Sequence, residues 1–231
     1  MNFKKAISIF LISLMIAYFI GVFGFNSYFW IYLKPILIPV FLVFAVVRNQ
    51  KLISKKYLIF VLFFYLSEVT MLYSEKFPSL LNYSLILSFC SYMALINLAY
   101  PLIKTYNIKE LVKFSTFFVI FVNLFILFYI VTILLDAIYD KYVDVLVIFN
   151  AISAVLLILA SVILLTINNN LKNLYYFFGA FFLLFSDIFS ALVAYYFDNM
   201  TLNFLERLLH FAGFYLIYLF VIEKNVQQED S

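Results

Sequence analysis

The chain has 231 residues, of which 67% are hydrophobic, 22% aromatic and 12% charged, with a net charge of +3. A soluble domain carries roughly twice that charged fraction, so this chain could not cover its apolar surface in water. The small, scattered positive charge gives no basis for nucleic-acid binding; the single Cys90 excludes an internal disulfide and a Cys-based zinc site, and one histidine argues against a histidine-rich metal site.

A helix needs about 20 mostly apolar residues to cross a bilayer, and eight runs meet that requirement. Lys4 and Lys5 precede the first, at 6–23. It starts like a signal peptide but lacks a small-x-small cleavage site, and further apolar runs follow, so it is taken as a transmembrane helix. The second, 30–47, carries Lys34-Pro35 near its start and is followed by the basic loop "RNQKLISKK" (48–56). The third, 57–73, contains "FFYLSEVTML" (63–72), in which Glu68 has no basic residue within a helical turn. After "SEKFPS" (74–79) comes 81–101, then "IKTYNIKELVK" (103–113) and the run 114–135. "DAIYDKYVD" (136–144) leads into 144–167, "NNNLKN" (168–173) into 174–196 and "DNMTLN" (198–203) into 204–222. None of these loops could fold as a domain, and β-barrel alternation is absent. The reading is an all-α polytopic integral membrane bundle, one domain over 1–231 with eight transmembrane helices.

Lys and Arg set the orientation. Eleven of the fifteen lie at the N-terminus, in the second, fourth and sixth loops and in the C-terminal tail; Lys34, Lys76, Lys141 and Arg207 lie on the other side. Both termini are therefore expected in the cytoplasm, in a multi-pass protein of the bacterial inner (cytoplasmic) membrane. Trp30, Tyr32, Tyr57, Tyr73 and Tyr175, near span ends, are expected as interfacial anchors.

Glu68 has a counterpart. Asp187, in "FFLLFSDIFSAL" (181–192), is a second acid deep inside a span, and both are expected at nearly the same depth in the outer half of the bilayer. Lys34, Asn150, Glu206, Arg207 and His210 reach the same half. Such groups should face the bundle interior or a wet cavity. For Glu206 and Arg207 an interfacial or local ion-pair role competes with function, for Lys34 a snorkelling role does, and for His210 a hydrogen bond to a neighbouring helix. Asn97 and Asn123 are expected to join helices. Glu68 and Asp187, deep and without a neighbouring cation in sequence, are the candidate functional acids. Two carboxyls in a low-dielectric pocket can share one proton, which suits acid–base chemistry and proton-coupled transport equally. A weak echo of "LSEV" (66–69) in "FSDI" (185–188), and of "LNY" (81–83) in "LNF" (202–204), raises the prospect of a parallel repeat of four helices.

The order and spacing of these spans resemble the YhhN/TMEM86 family of membrane proteins, which includes lysoplasmalogenases. "YLKPILIPVFLVF" (32–44) resembles the family's Lys-Pro start of span two, and "FYLSEVTML" (64–72) its Gly-Asp segment in span three. "FFGAFFLLFSDIFSALVAYY" (177–196) resembles its Gly-Ala…Ser-Asp segment, which carries over Gly179, Ser186 and Asp187, and "LLHFAGFYLIYLF" (208–220) its last span. The chain departs from the pattern where Ser67-Glu68 replaces Gly-Asp and Tyr92 takes the place of a histidine. Phe214 takes the place of a polar residue, with His210 one turn earlier.

The resemblance implies hydrolysis of the vinyl-ether bond of lysoplasmalogens, without metal or organic cofactor, to a fatty aldehyde and a glycerophospho-alcohol. Glu68 and Asp187 would be catalytic. Lys34, Tyr92, Ser186, Arg207 and His210 would serve substrate binding, with Lys34 or Arg207 on the lipid phosphate. The partner would be a lysophospholipid or other membrane lipid, and a homo-oligomer is allowed. A proton-coupled transporter or lipid carrier, and a non-catalytic lipid-binding protein, are the alternatives.

Overall fold

A computed structural model describes residues 3–24, 33–49, 53–74, 76–104, 114–137, 140–196 and 199–229. Among them are eight α-helices: α1 (Phe3–Gly24), α2 (Leu33–Asn49), α3 (Lys55–Leu72), α4 (Ser79–Ile103), α5 (Phe114–Ala137), α6 (Lys141–Ile167), α7 (Leu171–Tyr195) and α8 (Met200–Glu229). No strand occurs among the described residues. Trp30, Tyr32 and the side chain of Asn123 lie outside the described residues.

Each helix coincides with an apolar run, because a chain in hydrocarbon must satisfy its backbone groups internally. Three helix starts are capped by short polar side chains. Ser54 accepts a hydrogen bond from the Tyr57 amide at 3.2 Å, Asp140 from Tyr142 at 2.9 Å and Asn170 from Asn173 at 2.8 Å. These caps satisfy amides that have no partner within the helix. α8 continues past the expected end at 222 because "EKNVQQE" (223–229), though polar, is rich in helix formers.

Among the described residues, four helices are long and apolar enough to cross a membrane: α4, α6, α7 and the first 24 residues of α8. At about 1.5 Å per residue, even 24 residues exceed a hydrocarbon core of about 30 Å. The outer surface agrees: on α5, Phe118, Phe121, Phe125 and Phe128 are 58–69% exposed. Rings displayed in that way require lipid, not water. The chain is a helical membrane protein.

Inside, α8 is the central element. Its Phe211 packs on Tyr18 of α1 and Phe41 of α2, and its Phe214 stacks on Phe60 of α3. Its most extensive contact is with α7, where two glycines let the backbones approach. A Cβ added to Gly213 would lie 3.0 Å from the Gly179 carbonyl oxygen and 3.0 Å from the Leu183 amide nitrogen, both backbone atoms that cannot swing aside. Small residues at such crossings are how membrane helices gain close packing. Gly213→Ala is therefore expected to push α7 from α8 and to lose about 1–3 kcal/mol, read as an earlier loss of helicity in an SDS titration.

Tyr57 departs from the expected interfacial belt. It is 1% exposed and packs beside Phe60 in the main core, on the inward face of α3. Tyr73 does project outward, at 45% exposure. Asn97 joins helices as expected: the Lys56 ammonium of α3 donates to its side-chain oxygen at 2.9 Å and its carbonyl oxygen at 3.0 Å.

Candidate active site: two carboxyls on one cavity

Glu68 lies in the last turns of α3 and Asp187 in the second half of α7, so both approach the same end of the bundle. They line one cavity of about 200 Å³, walled by α3, α4, α5, α6 and α7. Most of its wall is Leu, Ile, Val and Ala, and its polar lining includes Tyr92, Asn150, Ser67 and Ser84. Ser67 and Ser84 exchange hydrogen bonds, each hydroxyl donating to the other residue's carbonyl at 3.0 Å. That double link ties α3 to α4 immediately beside Glu68.

The two acids have different partners. The Tyr92 hydroxyl of α4 donates to Asp187 Oδ2. Glu68 is ion-paired: Lys34 Nζ, at the start of α2, lies 3.0 Å from Glu68 Oε2 and 2.6 Å from Glu206 Oε1. Glu206 Oε2 is in turn 3.8 Å from Arg207 Nε. Arg207 donates to the Tyr18 hydroxyl, and its guanidinium sits over the Tyr18 and Phe23 rings at 5.7 and 5.8 Å. Two cations and two carboxylates thus form a charge-balanced network at the centre of α1, α2, α3 and α8. Matching of this kind is what a low-dielectric interior requires.

Lys34 and Arg207 therefore do not snorkel to an interface. Both are held inward by carboxylates, and Glu206 and Arg207 are 5% and 8% exposed. His210 is fully buried; its Nδ1 is 3.9 Å from Glu68 Oε1 and 3.5 Å from Ser186 Oγ. A Ser-His-acid triad places serine and acid on opposite ring nitrogens, whereas here both meet Nδ1. Ser186, 1% exposed, is accordingly placed as a helix-packing hydroxyl rather than a nucleophile.

The structure thus brings Glu68, Tyr92 and Asp187 to the cavity, together with Asn150. Lys34, Ser186, Arg207 and His210 do not line it and stand behind Glu68 and Asp187. The tie between Lys34 and Glu206, 172 residues apart, and the part played by Tyr18 escape a sequence reading. Each acid sits on the first helix of a closely packed consecutive pair and is met by the second helix of the other pair. Asp187 of α7 meets Tyr92 of α4, and Glu68 of α3 meets His210 of α8. Among the described residues no group of three His, Cys, Asp or Glu side chains could hold a metal ion. No protein-family model, curated protein or solved structure matches the chain.

Proposed function

We propose that the chain is a lysoplasmalogenase-like hydrolase of the YhhN/TMEM86 type, cleaving the vinyl-ether bond of alkenyl lysophospholipids inside the membrane. The observation that carries this reading is the pair of differently partnered carboxyls, Glu68 and Asp187, on one largely apolar cavity. In this reading eight helices cross a bacterial cytoplasmic membrane with both termini inside, since eleven of the fifteen Lys and Arg residues favour that side.

The chemistry follows from the partners. Asp187, in its acid form and oriented by Tyr92, donates its proton to the alkenyl carbon distal to the ether oxygen. The electron pair of the double bond forms the new C–H bond, leaving an oxocarbenium ion at the carbon bound to that oxygen. Glu68, anchored by Lys34, supplies negative charge to this cation, as one carboxylate does in the glycosidase pair. Water adds to the cationic carbon and returns a proton to Asp187. The hemiacetal then breaks its bond to the glycerol oxygen, which takes the hydroxyl proton, releasing a fatty aldehyde and a glycerophospho-alcohol. One water is consumed and the enzyme ends as it began. Lys34 and Arg207, already matched with carboxylates, act in this scheme by positioning Glu68 and not by gripping phosphate.

A second reading uses the same acids for proton-coupled transport, favoured by the charge-balanced network beside them. A panel of lysophospholipids with acyl, alkyl and alkenyl chains, offered to purified protein, separates the two. Aldehyde from the alkenyl lipid alone supports the hydrolase; proton flux in liposomes without aldehyde supports the transporter.

A further inference from the structure

Among the described residues, the side chains lining the cavity include two carboxyls and no Lys, Arg or His. Its donors are largely engaged elsewhere. The Ser67 and Ser84 hydroxyls donate to each other's backbone carbonyls, and Tyr92 donates to Asp187. The Asn150 amide nitrogen donates to the Leu85 and Leu146 carbonyls at 2.8 and 3.1 Å. Two carbonyl acceptors fix which end of that amide is nitrogen, and Asn150 Oδ1 is left buried with no donor. What remains to meet a ligand is acceptor oxygen, together with the hydroxyl side chains of Ser88, Ser190 and Tyr195. The cations nearest by, Lys34 and Arg207, lie outside the lining and are matched by Glu68 and Glu206.

A phosphate drawn into such a space would lose its hydration, meet no cation and face two carboxyl groups. A glycerol hydroxyl would instead find acceptors. The volume points the same way. About 200 Å³ is below the roughly 300–1,000 Å³ of sites that enclose a whole drug-sized ligand. A space of that size, open at one side, encloses a fragment of a lipid and not the whole molecule.

We infer that the site recognises the uncharged alkenyl-glycerol portion of its substrate and leaves the headgroup outside, so that neutral monoalkenyl glycerols are ligands of the same rank as the phospholipids. This rests on the hydrolase reading for the position of the vinyl ether, but not for the relative binding of the ethers. Glycerol ether lipids without phosphate are thus a second substrate class.

The test uses saturated ethers, so that turnover does not intervene. 1-O-Hexadecylglycerol, its phosphocholine and its phosphate monoester are titrated against the purified full chain in maltoside detergent. A headgroup left outside the cavity keeps its hydration whatever its charge, so the three are expected to bind within about threefold of one another. A phosphocholine or a phosphate monoester that differs from the neutral ether by about tenfold or more in either direction overturns the inference, as does a neutral ether that does not bind. The expected equality without aldehyde release from the alkenyl counterparts would retire the hydrolase reading and leave this one standing.

Discussion

Asp187→Asn is expected to slow aldehyde release from an alkenyl lysophospholipid by roughly 100- to 10,000-fold, the usual contribution of a positioned general acid, while the protein still folds. Asparagine keeps the shape and can still accept the Tyr92 hydrogen bond at its oxygen, but it has no proton to give at neutral pH. Glu68→Gln is expected to lower turnover by a similar order, because the proposed oxocarbenium ion would lose the charge that faces it. Glu68→Asp separates position from charge: it keeps the carboxylate but withdraws it by one methylene from a site built around the longer reach to Lys34. A displacement of about 1 Å can cost on the order of 100-fold, so activity falls; a rise would show that the glutamate is itself the impairment. Melting curves in one detergent check that the fold survives, and unchanged hydrolysis in both Asp187→Asn and Glu68→Gln would reject the two acids as catalysts.

The second large effect falls on stability. Lys34→Met leaves Glu68 without its ammonium partner and Glu206 with Arg207 alone. Breaking a buried pair from one side costs up to roughly 3–5 kcal/mol, and this pair, whose side chains are 16% and 17% exposed, is expected at or below the lower end. Adding Glu68→Gln to Lys34→Met restores the balance, with Glu206 facing Arg207, and recovers most of that loss. Helicity followed through an SDS titration for the two single variants and the double gives the coupling directly. Additive losses would mean that Lys34 and Glu68 do not depend on each other.

The fold was legible in the amino-acid sequence because hydrocarbon leaves the backbone one economical solution: each of the eight apolar runs became a helix. The ends were legible only where polarity and helix propensity agree. At 223–229 they disagree, and the polar helix formers won. Tyr57 shows a related limit: closeness to a span end does not say which face of the helix a ring occupies.

The site was half legible. Glu68 and Asp187 stood out because an acid within apolar residues needs a reason, and the structure sets both on one cavity. Their partners did not stand out. Lys34 is 34 positions from Glu68, and Tyr92 is 95 positions from Asp187; only the order in which helices pack brings them together. Asn150 appeared in sequence as one polar residue among several. Its significance, an amide nitrogen held by two carbonyls and an oxygen without a donor, belongs to three-dimensional structure alone.

Proton delivery to carbon is the central claim, and it leaves an isotopic mark. Purified protein is given an alkenyl lysophosphocholine in D2O, and the aldehyde is trapped at once by reduction so that later exchange cannot contribute. The account predicts an alcohol carrying one deuterium on the carbon next to the former carbonyl, formed by wild type and lost in Asp187→Asn. Aldehyde without deuterium at that carbon, or no aldehyde at all, would contradict it.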